Sequence, residues 1–176
     1  MDMTQLEYGK VDRNRGKTKS ESIKRGLARS AMDPNSALFS KKCYGYKVTE
    51  KGLEPDPKEA EIVEWIFDAY LVGAGSHAIK KALEFKGIPS PTGKKFWSKR
   101  TIEKILNNEK YCGDVVFYKT YMEESIPGKR IENDGQHEKL VLKDHHPAII
   151  SRAEFELVQE MKQRRSRNAG VSEGPF

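Results

Sequence analysis

Trp97-Ser98-Lys99-Arg100-Thr101-Ile102-Glu103-Lys104-Ile105-Leu106-Asn107-Asn108-Glu109-Lys110-Tyr111-Cys112-Gly113-Asp114 is the stretch that decides how this chain folds. Ile102, Ile105 and Leu106 recur at the spacing of one helical face, and Ser98 stands where an N-cap hydroxyl accepts a backbone N–H. The pattern predicts a helix from about Ser98 to Asn107, then a turn through Tyr111 and Gly113 into a strand. Trp97 and Tyr111 bracket the helix and read as scaffold. Outside the apolar stripe stand Lys99, Arg100, Glu103, Lys104 and Asn107.

Upstream, Asp56-Pro57-Lys58-Glu59 has the chemistry of a helix start: Asp56 as N-cap, Pro57 at the first helical position, and Glu59 placed to reach back. Ile62, Ile66 and Tyr70 with Val63, Phe67 and Leu71 make a wide apolar stripe, which Gly73 and Gly75 end. Ser76 is expected to cap a second helix with Ala78, Ile79, Ala82 and Leu83 inward, ended by Gly87. Residues 89–96 are a Gly/Pro loop carrying Lys94 and Lys95. Three short helices in this order read as an elaborated helix-turn-helix.

Downstream, Asp114–Tyr121 is rich in β-branched and aromatic residues and predicts one strand, with Leu140-Val141-Leu142 in a returning strand. Residues 122–136, with Pro127-Gly128 and Asn133-Asp134-Gly135, read as a long polar loop. Ser151 and Glu154 form a capping box for a last helix through Phe155, Val158 and Met161, ending near Arg167. The tail from there, within 166–176, reads as disordered.

Before Asp56 the chain is less regular. Residues 1–19 read as a flexible basic arm, and Ile23, Leu27 and Ala31 suggest a helix from Ser20, weakened by about 1 kcal/mol at Gly26 and ended by Asp33-Pro34-Asn35. Residues 33–56 read as a long connection with a short extended piece at Tyr44-Gly45-Tyr46 and a turn at Lys51-Gly52. The expected class is α+β: a mainly helical domain with a helix-turn-helix-like three-helix core, a small antiparallel hairpin or sheet, and a C-terminal helix. The expected organisation is a basic arm with helix and linker over 1–43, one domain over 44–165, and a tail over 166–176.

The 176 residues are 36% hydrophobic and 33% charged, with a net charge of +6. That charge is unevenly placed. Residues 10–29 hold eight Lys/Arg against Asp12 and Glu21, residues 86–104 hold six against Glu103, and residues 160–167 hold four against Glu160. Residues 50–68 hold seven acids against Lys51 and Lys58. Basic clusters separated by an acidic helix imply an oriented face for a polyanion, although ordinary solvated charge has the same signature. No apolar run is long enough to span a membrane and no secretory pattern is seen, so a cytoplasmic protein is expected. Cys43 and Cys112 are too few and too far apart for a zinc site or a disulfide framework, and read as ordinary thiols.

For a polyanion that is duplex DNA, the outer face of the 98–107 helix has suitable chemistry. Arg100 and Asn107 can make paired contacts with guanine and adenine edges, Lys99 and Lys104 suit phosphates, and Ser98 at the helix N-terminus can hold a phosphate through backbone N–H groups. Lys94 and Lys95 can touch the sugar-phosphate backbone. Lys24, Arg25 and Arg29 belong to an arm that either tracks a groove or is a plain linker. The helix face equally reads as a solvated surface with a Lys99–Glu103 pair. His145 and His146 read as structural hydrogen-bonding groups. No nucleophile–base set, metal-ligand spacing or phosphate-cradling glycine loop is found, so no catalytic residue, metal or cofactor is expected.

A family likeness runs through these same residues. Tyr44-Gly45-Tyr46, Asp56-Pro57, Glu59-Ala60-Glu61-Ile62-Val63, Ile66-Phe67, Gly75-Ser76, Ile79 and Gly87-Ile88-Pro89-Ser90-Pro91 follow one another in a recognisable order. They are continued by Trp97-Ser98, Thr101-Ile102, Ile105 to Tyr111, Gly113-Asp114 and His146-Pro147-Ala148-Ile149-Ile150-Ser151. Over about residues 44–165 this resembles the central "recombinase" domain of the large serine recombinases. Ser22-Ile23-Lys24-Arg25-Gly26-Leu27 looks like the end of the long helix that leaves the catalytic domain in that family.

The resemblance implies a DNA-binding module of phage integrases and mobile-element transposases, which act as dimers or tetramers on DNA. In that family a resolvase-like domain supplies the serine nucleophile, and a cysteine-ligated zinc ribbon follows. Neither is recognised in these residues, so the expectation is an excised middle domain or a degenerate fragment, inactive alone. A helix-turn-helix transcription regulator is the alternative reading, and a protein-interaction domain a third.

Overall fold

The computed structural model describes residues 25, 26, 29, 30, 43–123, 126 and 128–171. The expected basic arm, Lys24 with it, and the helix-ending Asp33-Pro34-Asn35 lie outside the described residues, as does the tail beyond Val171. Arg25, Gly26, Arg29 and Ser30 are helical and exposed. The remaining architecture is α+β, as expected.

The connection expected over 33–56 holds more structure than its sequence suggests. Tyr46–Thr49 (β1) and Gly52–Pro55 (β2) pair antiparallel, with Tyr46 opposite Pro55 and Thr49 opposite Gly52. Pro57–Leu71 (α1) follows at once. Asp56 caps it, its carboxylate accepting from the Lys58 and Glu59 N–H groups at 3.1 Å each. Glu59 does not complete the expected capping box. Its Oε2 instead accepts the Gly45 N–H at 2.9 Å, tying the first turn of α1 to the chain entering the hairpin.

Ser76–Phe85 (α2) starts one residue earlier than a Ser76 cap would require. Gly75 is the N-cap, with no side-chain cap, and Ser76 is the first helical residue. Ile79 and Leu83 are buried as expected; Ala78 faces solvent, because a ten-residue helix needs only a narrow stripe. Lys99–Leu106 (α3) then runs between Ser98 as N-cap and Asn107 as C-cap, matching the sequence reading. A 3-10 turn, Glu109–Cys112, leads to the β segment.

The single strand expected over 114–121 is two strands. Val115–Phe117 (β3) breaks at Tyr118, whose φ of 59° lies in the left-handed region, and Thr120–Met122 (β4) resumes. The polar loop contains a further strand, Arg130–Glu132 (β5), paired antiparallel with β4, while Leu140–Leu142 (β6) returns antiparallel beside β3. Each pairing is two-stranded. Asn133 holds the arm together from a buried position. Its amide donates to the Tyr118 and His137 carbonyls at 2.8 Å, and its oxygen accepts from the Gly135 and His137 N–H groups.

Arg152–Val171 (α4) closes the domain and continues past the Arg167 end expected of it. Its start is the expected capping box: Glu154 accepts from the Ser151 N–H at 2.8 Å, and Ser151 Oγ accepts from the Glu154 N–H at 3.2 Å. The core lies where α1 to α4 meet, with Val63, Ile66, Phe67, Ile79, Leu83, Trp97, Ile102, Leu106, Tyr111 and Val158 nearly or fully buried. Tyr46 joins hairpin to core: its hydroxyl donates to the Lys110 or Pro147 carbonyl at 2.9 and 3.0 Å, and its ring stacks on Tyr111. No helix among the described residues is long and apolar enough to cross a membrane.

Candidate nucleic-acid interface

The segment from Ser90 to Asn107 is shaped by two local hydrogen-bonded turns and tied to α2 and the residues after it through Trp97. Ser90 is buried, and its N–H donates to the Lys94 carbonyl at 2.9 Å while its hydroxyl accepts the Lys94 N–H at 3.2 Å. This closes a tight loop on which Lys94 and Lys95 are exposed. Trp97 is 2% exposed; its N–H donates to Glu84 Oε1 at 2.8 Å and its indole N–H to the Ile88 carbonyl at 2.8 Å. Ser98 Oγ accepts the Thr101 N–H at 3.0 Å, starting α3. The reading of Trp97 and Tyr111 as scaffold holds: Tyr111 is also 2% exposed, and its hydroxyl donates to the Tyr44 carbonyl at 2.9 Å.

With Ile102, Ile105 and Leu106 packed inward, α3 leaves Ser98, Lys99, Arg100, Lys104 and Asn107 exposed. These five and Lys94 and Lys95 are carried on one continuous segment. Lys99 pairs with Glu103 at 3.4 Å, the exposed i,i+4 pair the sequence allows. Lys94, Lys95, Arg100 and Lys104 have no ion-pair partner among the described residues. Arg25 and Arg29 are exposed on their own helical turns.

Asn107 is exposed at the end of α3 and is also joined to α4. Its Oδ1 accepts a hydrogen bond from Lys162 of α4, so the side chain that has the chemistry to pair with adenine also links α3 to α4. Burial pushes the Lys162 ammonium below its ordinary value, with Glu103 acting in the other direction. Neighbouring α4 residues are also committed inward. Gln159 donates to the Leu106 carbonyl at 2.7 Å, and Arg165 donates to the Gly73 and Ala74 carbonyls while lying 4.4 Å from the Tyr70 ring centroid. Arg164 pairs with Glu160. Two cations of the third basic cluster are therefore structural: Arg165 satisfies carbonyls just past the C-terminal end of α1, and Lys162 bonds the side chain of the α3 C-cap residue Asn107.

A second ion network lies away from α3. Arg152 pairs with Asp114 and, at 2.9 Å, with Asp144. Burial raises the Asp114 carboxyl, but hydrogen bonds from Arg152 and the Asp144 N–H outweigh it and hold the group below its ordinary value. No local sequence signal announces these links, which span 38 and 55 residues of chain.

A small α+β domain that presents an exposed basic helix from a rigid mount is the class of protein this geometry defines. The chain belongs to the Recombinase family, whose model matches residues 57–165. Two solved structures share the fold. One is an LSR–DNA complex, with TM-score 0.55 and 21% identity, covering 82% of this chain and 39% of that one. The other comes from work on the sequence requirements of the Listeria innocua prophage attP site, with TM-score 0.54 and 19% identity, covering 86% of this chain and 55% of that one. The chain thus spans about two fifths to just over half the length of these relatives.

Proposed function

We propose that this domain binds double-stranded DNA as the central module of a large serine recombinase, seating α3 in the major groove. Arg100 is the base-reading side chain, and Lys94, Lys95, Lys99 and Lys104 hold phosphates. The α3 N-terminus at Ser98 adds backbone N–H groups for a further phosphate. Lys24, Arg25 and Arg29 run along the neighbouring minor groove or backbone. Asn107 anchors α4. In this reading α2, the 86–98 loop and α3 act as the helix-turn-helix, and strand exchange belongs to a serine-bearing catalytic domain elsewhere in a cytoplasmic dimer or tetramer encoded by a mobile element.

The carrying observation is the row of exposed cations Lys94, Lys95, Arg100 and Lys104, without acidic partners among the described residues and fixed to the core through Trp97. Exposed charge on a flexible loop costs entropy to order on a ligand, whereas this segment is already ordered. The DNA in one of the solved relatives supports the same assignment.

The test is selection of short duplexes from a random pool by the chain, followed by titration of selected and scrambled duplexes at two salt concentrations. Tighter binding of the selected sequence, with log affinity falling against log salt by about 0.9 per phosphate held, is the expected result. Equal weak binding of both duplexes would remove sequence reading. A transcription regulator would instead select its sites without any resolvase-type domain in frame with this one.

A further inference from the structure

Phe96 is a large apolar side chain left 70% exposed in the most basic loop of the domain. It is held firmly there. On one side the Ser90–Lys94 hydrogen bonds close the loop, and on the other Trp97 is tied to Glu84 and Ile88. Only Lys95 and Phe96 lie between these fixed points. The ring therefore projects beside the start of α3, with Lys94 and Lys95 before it and Lys99 and Arg100 after it.

We infer that Phe96 is itself a DNA-contacting residue, packing its ring on apolar atoms of the duplex next to the groove entered by α3. The inference rests on the DNA-binding reading above. A duplex offers thymine methyls, sugar edges and base faces beside its phosphates, so it satisfies an aromatic ring and flanking cations together. An apolar protein surface fits less well. Covering Phe96 with one would bring Lys94, Lys95 and Arg100 against it, with the cost of taking unpaired charge out of water.

The test compares the wild-type chain with Phe96→Ala and Phe96→Leu on duplexes selected by the wild type, titrated across a salt series. Phe96→Ala is expected to bind about tenfold more weakly with an unchanged salt slope, because an apolar contact releases no counterions. Phe96→Leu, which keeps apolar bulk, is expected to retain most of the affinity. Circular dichroism and the melting midpoint of both variants should match the wild type, since an exposed ring supports little of the core. Wild-type affinity in Phe96→Ala overturns the inference and leaves the DNA reading intact. A salt slope that falls with the affinity also overturns it, by showing that phosphate contacts were lost instead. Failure of the wild type to bind any duplex at low salt removes the DNA reading, and this inference with it.

Discussion

Glu84 Oε1 accepts the backbone N–H of Trp97 at 2.8 Å, so a side chain on α2 fixes the point from which α3 departs. Glu84 is the penultimate residue of α2, and Trp97 stands two residues before α3. With the indole bonded to the Ile88 carbonyl, both ends of the intervening loop are tied to the same helix end. Glu84→Ala should destabilise the domain by about 1–2 kcal/mol, the lower part of the range for bonds to charged groups because Glu84 is a fifth exposed. Glu84→Gln retains an acceptor and should lose less. Urea unfolding midpoints at constant m-value would measure both, and equal stability of Glu84→Ala and wild type would show that the tether is dispensable.

That relationship marks the limit of what the sequence made legible. Cap, stripe and stop signals placed α1, α3 and the start of α4, because these depend on residues within one or two helical turns. They also identified Trp97 and Tyr111 as scaffold. The β arm was misread because Tyr118 takes a left-handed conformation that its residue type does not advertise. The Asn107–Lys162 link was not legible for another reason: the two residues are 55 apart in the chain. The charge count saw 160–167 as a free basic cluster, yet Lys162 and Arg165 serve helix ends that become neighbours only in the fold. The arrangement of exposed cations on α3 was legible; which other cations were already spent was not.

Gly113 should tolerate no side chain. It has φ +86°, and a Cβ there would stand 2.8 Å from the His146 carbonyl oxygen, a backbone atom held in place by surrounding hydrogen bonds. Gly113→Ala combines left-handed strain with this overlap and should cost more than about 2 kcal/mol. Gly73 has φ +105° with open space around a Cβ, so Gly73→Ala carries strain alone, about 1–2 kcal/mol. Thermal or urea unfolding of the two variants side by side separates the terms, and a milder loss at Gly113 would contradict the geometry.

Phosphate and base contacts should separate in binding experiments. The double variant Lys94→Ala/Lys95→Ala should weaken binding to all duplexes alike and reduce the salt slope by about 1.8 if each lysine holds one phosphate. Arg100→Ala should instead compress the preference for the selected site, costing about 1–3 kcal/mol at the position it reads. Titrations on selected and scrambled duplexes with these variants assign the roles, and an Arg100→Ala protein with undiminished preference would move base reading elsewhere.

Stability should fall in mildly acidic solution because of His146. The ring is 8% exposed and its Nε2 lies 2.8 Å from the Lys110 carbonyl, which can only accept, so the neutral ring carries its proton on Nε2. Burial, reinforced by the nearby His145 and Lys110, outweighs that hydrogen bond and lowers the pKa from 6.5 to about 4. A second proton on Nδ1 would also meet His145 Nδ1, 3.2 Å away. Between these values the unfolded chain binds the proton and the folded chain does not. Folding stability therefore declines as pH drops from about 6.5 to about 4, by up to about 1.4 kcal/mol per pH unit, and this contribution levels off below the folded pKa. Asp114 acts in a lower window, since its depressed carboxyl stabilises the fold above its unfolded pKa and that contribution is lost only as pH falls through the folded value. His146→Gln removes the titrating group while keeping a donor for the Lys110 carbonyl, so its urea midpoint should change less than that of the wild type between pH 6.5 and 4. Parallel pH profiles for the two proteins across that window would assign the acid sensitivity to another group.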